Sequence, residues 1–207
     1  MRPGSLLYSP LLAFALAACE TPVIYEPASD AGTPPVAERP TFSLDDEFWF
    51  NLGGTEILGE AYKGMRDGQH AFRRPLQNET LLFTPEMSLA YIDRAFGEDD
   101  IFEPDNGELD FPLTIGKTWS RTYRVRTEET LFTTRRRRDC EVLDFGRFQS
   151  EAGEFPAYRI ACSASQLGEP GLSQDEIIYA PSVGRIVHRR TLGSGSTLTL
   201  IEHVRAR

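Results

Sequence analysis

The sequence is short of the residues that usually carry chemistry. Its 207 residues hold three cysteines and three histidines. His70, His188 and His203 fall in neither an H-E-x-x-H nor an H-x-H spacing, so the pattern gives no support for a zinc site. His188 and His203 fall on neighbouring predicted strands, where ordinary strand histidines are the expected reading. There is no G-x-G-x-x-G and no P-loop. Gly193-Ser194-Gly195-Ser196 is not the G-x-S-x-G of a nucleophile elbow and lacks the helix that must come after one. Asp175-Glu176 are adjacent, so on a strand they point to opposite faces and make a poor glycosidase pair. Past the N-terminus no run of about 20 apolar residues occurs, which excludes a polytopic helical membrane protein. Excess positive charge is also missing. The formal net charge is -9, which argues against nucleic acid as the main partner. No cofactor is implied. What is present is a 40% apolar, 11% aromatic composition, enough to bury a core.

The sharpest signal is N-terminal. Arg2 precedes a mainly apolar run, Leu6 to Ala18, too short to span a bilayer but suited to a secretory signal. The run ends in Leu16-Ala17-Ala18-Cys19. These four residues resemble the lipobox of bacterial lipoproteins. The resemblance implies that residues 1–18 are a signal peptide, that Cys19 is acylated, and that it becomes the first residue of the mature chain. Several acyl chains on one residue would hold a protein at a membrane, whereas one chain holds only marginally. Glu20, where the family's inner-membrane members often carry Asp, points to the outer membrane facing the periplasm. An ordinary secretory signal, with Ala15-Leu16-Ala17 as its cut site, is the alternative.

Residues 19–40 carry the lipidated Cys and then Pro22, Pro27, Pro34, Pro35 and Pro40 among small residues, and read as an extended tether. Residues 41–207 read as one globular, mainly β domain. Its charge is uneven. Residues 41–116 hold sixteen acidic and five basic residues, and 117–207 hold eleven acidic and fifteen basic. The economical reading is two subregions that attract each other.

The second half shows period-two alternation, beginning with Trp119, Arg121, Tyr123 and Val125. Turns at Ser150–Gly153, Pro181–Gly184 and Gly193–Gly195 divide it into about six strands, an antiparallel meander. In the first half, Glu56–Lys63 and Glu79–Phe83 read as strands. Ser43–Phe50 reads as a short helix, with Ser43 as N-cap and Asp46 three residues on. Thr84-Pro85-Glu86 reads as a second helix start, closed at Gly97. The expected architecture is a sandwich or curled half-barrel with one or two short helices in the N-terminal half.

Three further features are candidates for function. Cys140 and Cys162 lie symmetrically about the Glu151 turn, and an oxidising compartment would let them pair, at about 3 kcal/mol of stabilisation; two buried thiols are the alternative. Arg135, Arg136, Arg137 and Arg138 are four consecutive guanidinium groups. They suit an anionic lipid or another anionic envelope polymer, or else a solvated strand edge. The carboxylates from Glu98 to Asp110 read as a solvated loop; an EF-hand frame fails there because Phe102 and Pro104 fall at ligand positions.

Phe111-Pro112-Leu113, Gly116-Lys117-Thr118-Trp119, Ala152-Gly153-Glu154-Phe155 and the stretch Tyr179 to Val187 are similar to a pattern in uncharacterised β-rich bacterial envelope proteins. That resemblance implies an antiparallel sheet and supplies no catalytic residue. The sequence thus points to a lipid-anchored envelope protein, a non-enzymatic binding or structural module. A lipid or lipoprotein carrier with an apolar groove and a cell-wall enzyme are the rivals.

Overall fold

The computed structural model describes residues 24–28, 34–127, 133–167 and 173–206. The signal region and Cys19 lie outside them. The first strand, β1, is Ile24–Pro27. Five short strands and one long one come next: β2 (Glu47–Leu52), β3 (Glu56–Arg66), β4 (Gln69–Arg74), β5 (Glu79–Phe83), β6 (Leu89–Arg94) and β7 (Asp100–Glu103). The second half contributes β8 (Thr118–Thr127), β9 (Thr134–Ser150), β10 (Gly153–Gln166), β11 (Ser173–Ala180), β12 (Arg185–Leu192) and β13 (Thr197–Val204).

Strands β2 to β13 each pair antiparallel with the next in sequence, and β13 returns to pair with β2, Leu198 opposite Leu52 and Leu200 opposite Phe50. The result is a closed twelve-stranded up-and-down barrel, with no helix among the described residues. This corrects the expected sandwich or curled half-barrel. The meander is as the turns predict. Closure rests on a pairing between the two ends of the chain, which local periodicity does not encode.

The two expected helices are also corrected. Ser43 and Asp46 make half of the contacts of a helix start: Ser43 N–H donates to Asp46 Oδ2 at 2.9 Å, while Asp46 N–H closes a turn on the backbone carbonyl of Ser43 at 3.1 Å. The turn then leads into β2, where Phe48 and Phe50 face inward and Trp49 lies across the strand against Gly59. Likewise Met87 N–H closes a turn on Thr84 O at 2.8 Å before β6 begins. In both places the polar residues close a turn, and burial among neighbouring strands sends the chain on as sheet rather than helix.

Part of the expected tether is packed on the barrel. Strand β1 pairs with the far end of β9, Ile24 opposite Gln149 and Pro27 opposite Gly146. Ala37 is buried and bridges Leu113. The β9–β10 hairpin outruns its neighbours and folds across the outer side of β12 and β13. Phe148 meets the His188 ring at 5.7 Å, and Ser150 Oγ donates to Leu200 O at 2.8 Å.

A barrel's bore widens with strand number, and twelve strands enclose more space than wall side chains alone fill. The acidic connection between β7 and β8 supplies the filling. Asp105, Asn106, Gly107, Glu108 and Leu109 are all buried. Ser88 Oγ donates to Leu109 O, Trp119 Nε1 donates to Gly107 O at 3.0 Å, and Phe111 packs on Tyr179 at 5.3 Å. The segment read as a solvated loop is therefore a plug that touches β6, β8 and β11 from within.

Candidate functional site

The plug does not fill the bore completely. A cavity of about 360 Å³ remains. Its lining combines apolar side chains, among them Leu81, Phe83, Leu89, Ile92 and Leu198, with the charged Glu60, Arg74, Glu108, Arg138, Arg185 and Arg189. Strand geometry places these charges inside. Arg138 shares the inner face of β9 with Cys140 and Val142, and a bulge at Val187 in β12 lets both Arg185 and Arg189 line the cavity together with Ile186.

Each carboxylate is engaged twice. Arg185 Nη2 donates to Glu60 Oε2, while Arg74 Nε donates to Glu60 Oε1 at 2.9 Å. Arg189 Nη2 lies 2.6 Å and Arg138 Nη1 lies 3.1 Å from Glu108 Oε1. Burial alone would raise both carboxyl pKa values, but the paired guanidinium groups outweigh it and hold both below the ordinary carboxylate value. Burial works the other way on Arg185 and lowers its pKa, with Glu60 opposing that shift. Its Cζ also sits 4.2 Å from the Phe72 ring centroid and 4.8 Å from that of Phe83.

These pairs join the acidic first half of the chain to the basic second half. Glu60 and Glu108 come from the first, Arg138, Arg185 and Arg189 from the second. Asp105–Arg121 at 3.5 Å and Glu103–Arg126 at 3.0 Å obey the same rule. Other pairs, Arg94–Asp100 and Arg159–Asp144 among them, stay within one half.

Not every donor is matched. Arg138 Nε, Arg185 Nη1 and Arg189 Nε are buried without a protein hydrogen-bond partner. An unmade bond of this kind costs about 1–3 kcal/mol, more for a charged group.

The four consecutive arginines alternate along β9. Arg138 is buried in the lumen, and Arg136 is half-buried opposite Tyr123. Arg135 and Arg137 face solvent, where Arg137 forms a fork with Asp139 at 2.8–3.0 Å. The run therefore does not present one four-charge surface. Cys140 and Cys162 stand directly opposite on β9 and β10 and are joined by a disulfide. His188 and His203 are not brought together: His188 bonds Thr199 at 2.9 Å, and His203 stacks on Phe48 at 4.7 Å. Among the described residues no cluster of three or more His, Cys, Asp or Glu is placed to hold a metal ion.

Sequence reasoning missed Glu60, Glu108, Arg185 and Arg189. Arg185 and Arg189 are four residues apart, but a bulge between them breaks the period-two count, so their common destination carries no simple sequence signal.

No protein-family model and no curated protein matches the chain. Among solved structures the barrel is similar to the hypothetical lipoprotein YmcC from Escherichia coli K12. The TM-score is 0.53 at 10% identity, over 78% of this chain and 85% of that one. At that identity the likeness shows the fold alone. A protein described as a putative lipoprotein from Parabacteroides distasonis aligns at a TM-score of 0.46 and 8% identity, over 83% of this chain and 100% of that one.

Proposed function

We propose that the chain is a lipid-anchored bacterial envelope protein that works by binding, with the barrel lumen as its binding compartment. The observation that carries the reading is the cavity of about 360 Å³ beside the plug, lined by apolar side chains together with four arginines and two glutamates. Pockets of a few hundred cubic ångströms with a few placed polar groups are the usual form of a small-molecule site.

The anchor rests on Leu16-Ala17-Ala18-Cys19. It gains a geometric consequence from β1, which begins at Ile24. Five Cα steps separate Cys19 from Ile24, at most about 18 Å of extended chain. An acylated Cys19 would then hold the barrel against the bilayer rather than on a long stalk. The membrane proposed is the outer one, on its periplasmic side, because Glu20 comes directly after the Cys.

Metabolic labelling with palmitate tests the anchor. The wild type is expected to take up label and fractionate with outer membranes, and Cys19→Ala is expected to lose both. A mutant labelled like the wild type overturns the anchor.

A further inference from the structure

We infer that the lumen cavity binds a small amphipathic anion. Its carboxylate or phosphate group meets Arg138, Arg185 and Arg189, and its short apolar part lies against Leu89, Ile92 and Leu198. The inference rests on the reading of the barrel as a binding module and names the ligand class.

Three observations converge. First, the unspent polar valence on the Arg138, Arg185 and Arg189 side chains that line the cavity is all of one kind. Arg138 Nε, Arg185 Nη1 and Arg189 Nε are N–H donors, and arginine has no acceptor to offer. The matching group is therefore an acceptor. Second, the residues lining the cavity carry four guanidinium groups, counting Arg74, against the two carboxylates of Glu60 and Glu108. Both carboxylates already serve two arginines each. Glu79 balances Arg74 from beside the cavity at 2.9 Å, but Asp175 approaches Arg138 only to 4.0 Å. An anion relieves the remaining imbalance, and planar guanidinium edges favour carboxylate or phosphate. Third, the rest of the lining, including Leu81, Leu89, Ile92 and Leu198, is apolar and cannot satisfy a polar group, so it selects an apolar extension on the same ligand. The volume accommodates one short chain rather than a two-chain lipid.

Titration calorimetry on the full chain in dodecyl maltoside tests this with three probes: hexanoate, hexanol and inorganic phosphate. Hexanoate is expected to bind saturably and hexanol not to bind. Arg189→Gln is expected to weaken hexanoate about tenfold, as loss of one charge-assisted contact does. Leu198→Trp, which fills the apolar part of the cavity, is expected to weaken hexanoate and spare phosphate. It keeps the test open should Arg189→Gln fail to fold. Phosphate binding as tightly as hexanoate, with Leu198→Trp without effect, overturns the amphipathic assignment. No saturable binding of hexanoate or phosphate to folded wild type leaves only water as the partner of those donors and overturns the site. Palmitate labelling of Cys19 does not depend on these titrations, so the anchor and the site fail separately.

Discussion

Glu60 and Arg185 lie 125 residues apart in sequence and meet inside the barrel, the Arg185 guanidinium donating to the Glu60 carboxylate. Both side chains are almost fully buried. The pair ties β3 to β12, which have β13 and β2 between them in the sheet. Breaking one partner leaves an uncompensated buried charge. Arg185→Met and Glu60→Gln are each expected to cost about 3–5 kcal/mol. The double variant Glu60→Gln/Arg185→Met is expected to lose less than the sum. Urea unfolding of the four proteins checks this, and additive losses would show that the two residues act independently.

Stability is expected to fall in two stages as pH drops. Burial lowers the pKa of His70, His188 and His203 below the ordinary 6.5, with nearby Arg185 and Arg205 adding to the effect at His70 and His203. The native state thus binds fewer protons there than the unfolded chain, and this stabilisation, complete above 6.5, is lost as pH falls below it. Glu60 and Glu108 are held below the ordinary 4.5, so their share is present above 4.5 and is lost below it. Urea midpoints from pH 8 to 3 should show a shallow decline and then a steeper one. His188→Gln should flatten only the first.

Gly107 and Gly116 separate close packing from backbone strain. Both have positive φ, +64° and +79°. A Cβ on Gly107 would lie 2.3 Å from Arg121 Cβ, whereas one on Gly116 would meet nothing within 4 Å. Alanine at either costs about 1–2 kcal/mol for the left-handed backbone. Gly107→Ala is expected to cost about 1–3 kcal/mol more, by pushing the plug off β8. Equal melting temperatures for the two variants would mean that the plug is not seated there.

Reduction of the Cys140–Cys162 disulfide is expected to lower stability by about 3 kcal/mol on the chain-entropy model. The Cys140→Ala/Cys162→Ala variant should show the same loss and no further change on adding reductant. A variant as stable as the oxidised wild type contradicts this.

The strand content of the second half was legible because alternation and turn residues are local. The predicted turn at Pro181–Gly184 falls between β11 and β12, and that at Gly193–Gly195 between β12 and β13. Closure was not legible, because Leu200 and Phe50 lie at opposite ends of the domain. Phe48 and Phe50 sit in β2, yet the cap at Ser43 and Asp46 suggested a helix; local capping says where a turn starts, and burial in a sheet decides the rest. The plug was hidden for a similar reason. Asp105 and Glu108 look like solvent-facing carboxylates until Arg121, Arg138 and Arg189 arrive from distant strands. Of the arginine run, alternation alone told that two would turn inward. It could not tell that Arg138 would find Arg185 and Arg189 there.

The central claim is a lumen that takes an anion beside the plug. Amide hydrogen exchange of the full chain with and without hexanoate tests it most directly. Added protection is expected only in residues 105–109, in β9 around Arg138 and in β12 from Arg185 to Arg189. Unchanged exchange in these segments, or protection only on the barrel's outer face, would contradict it.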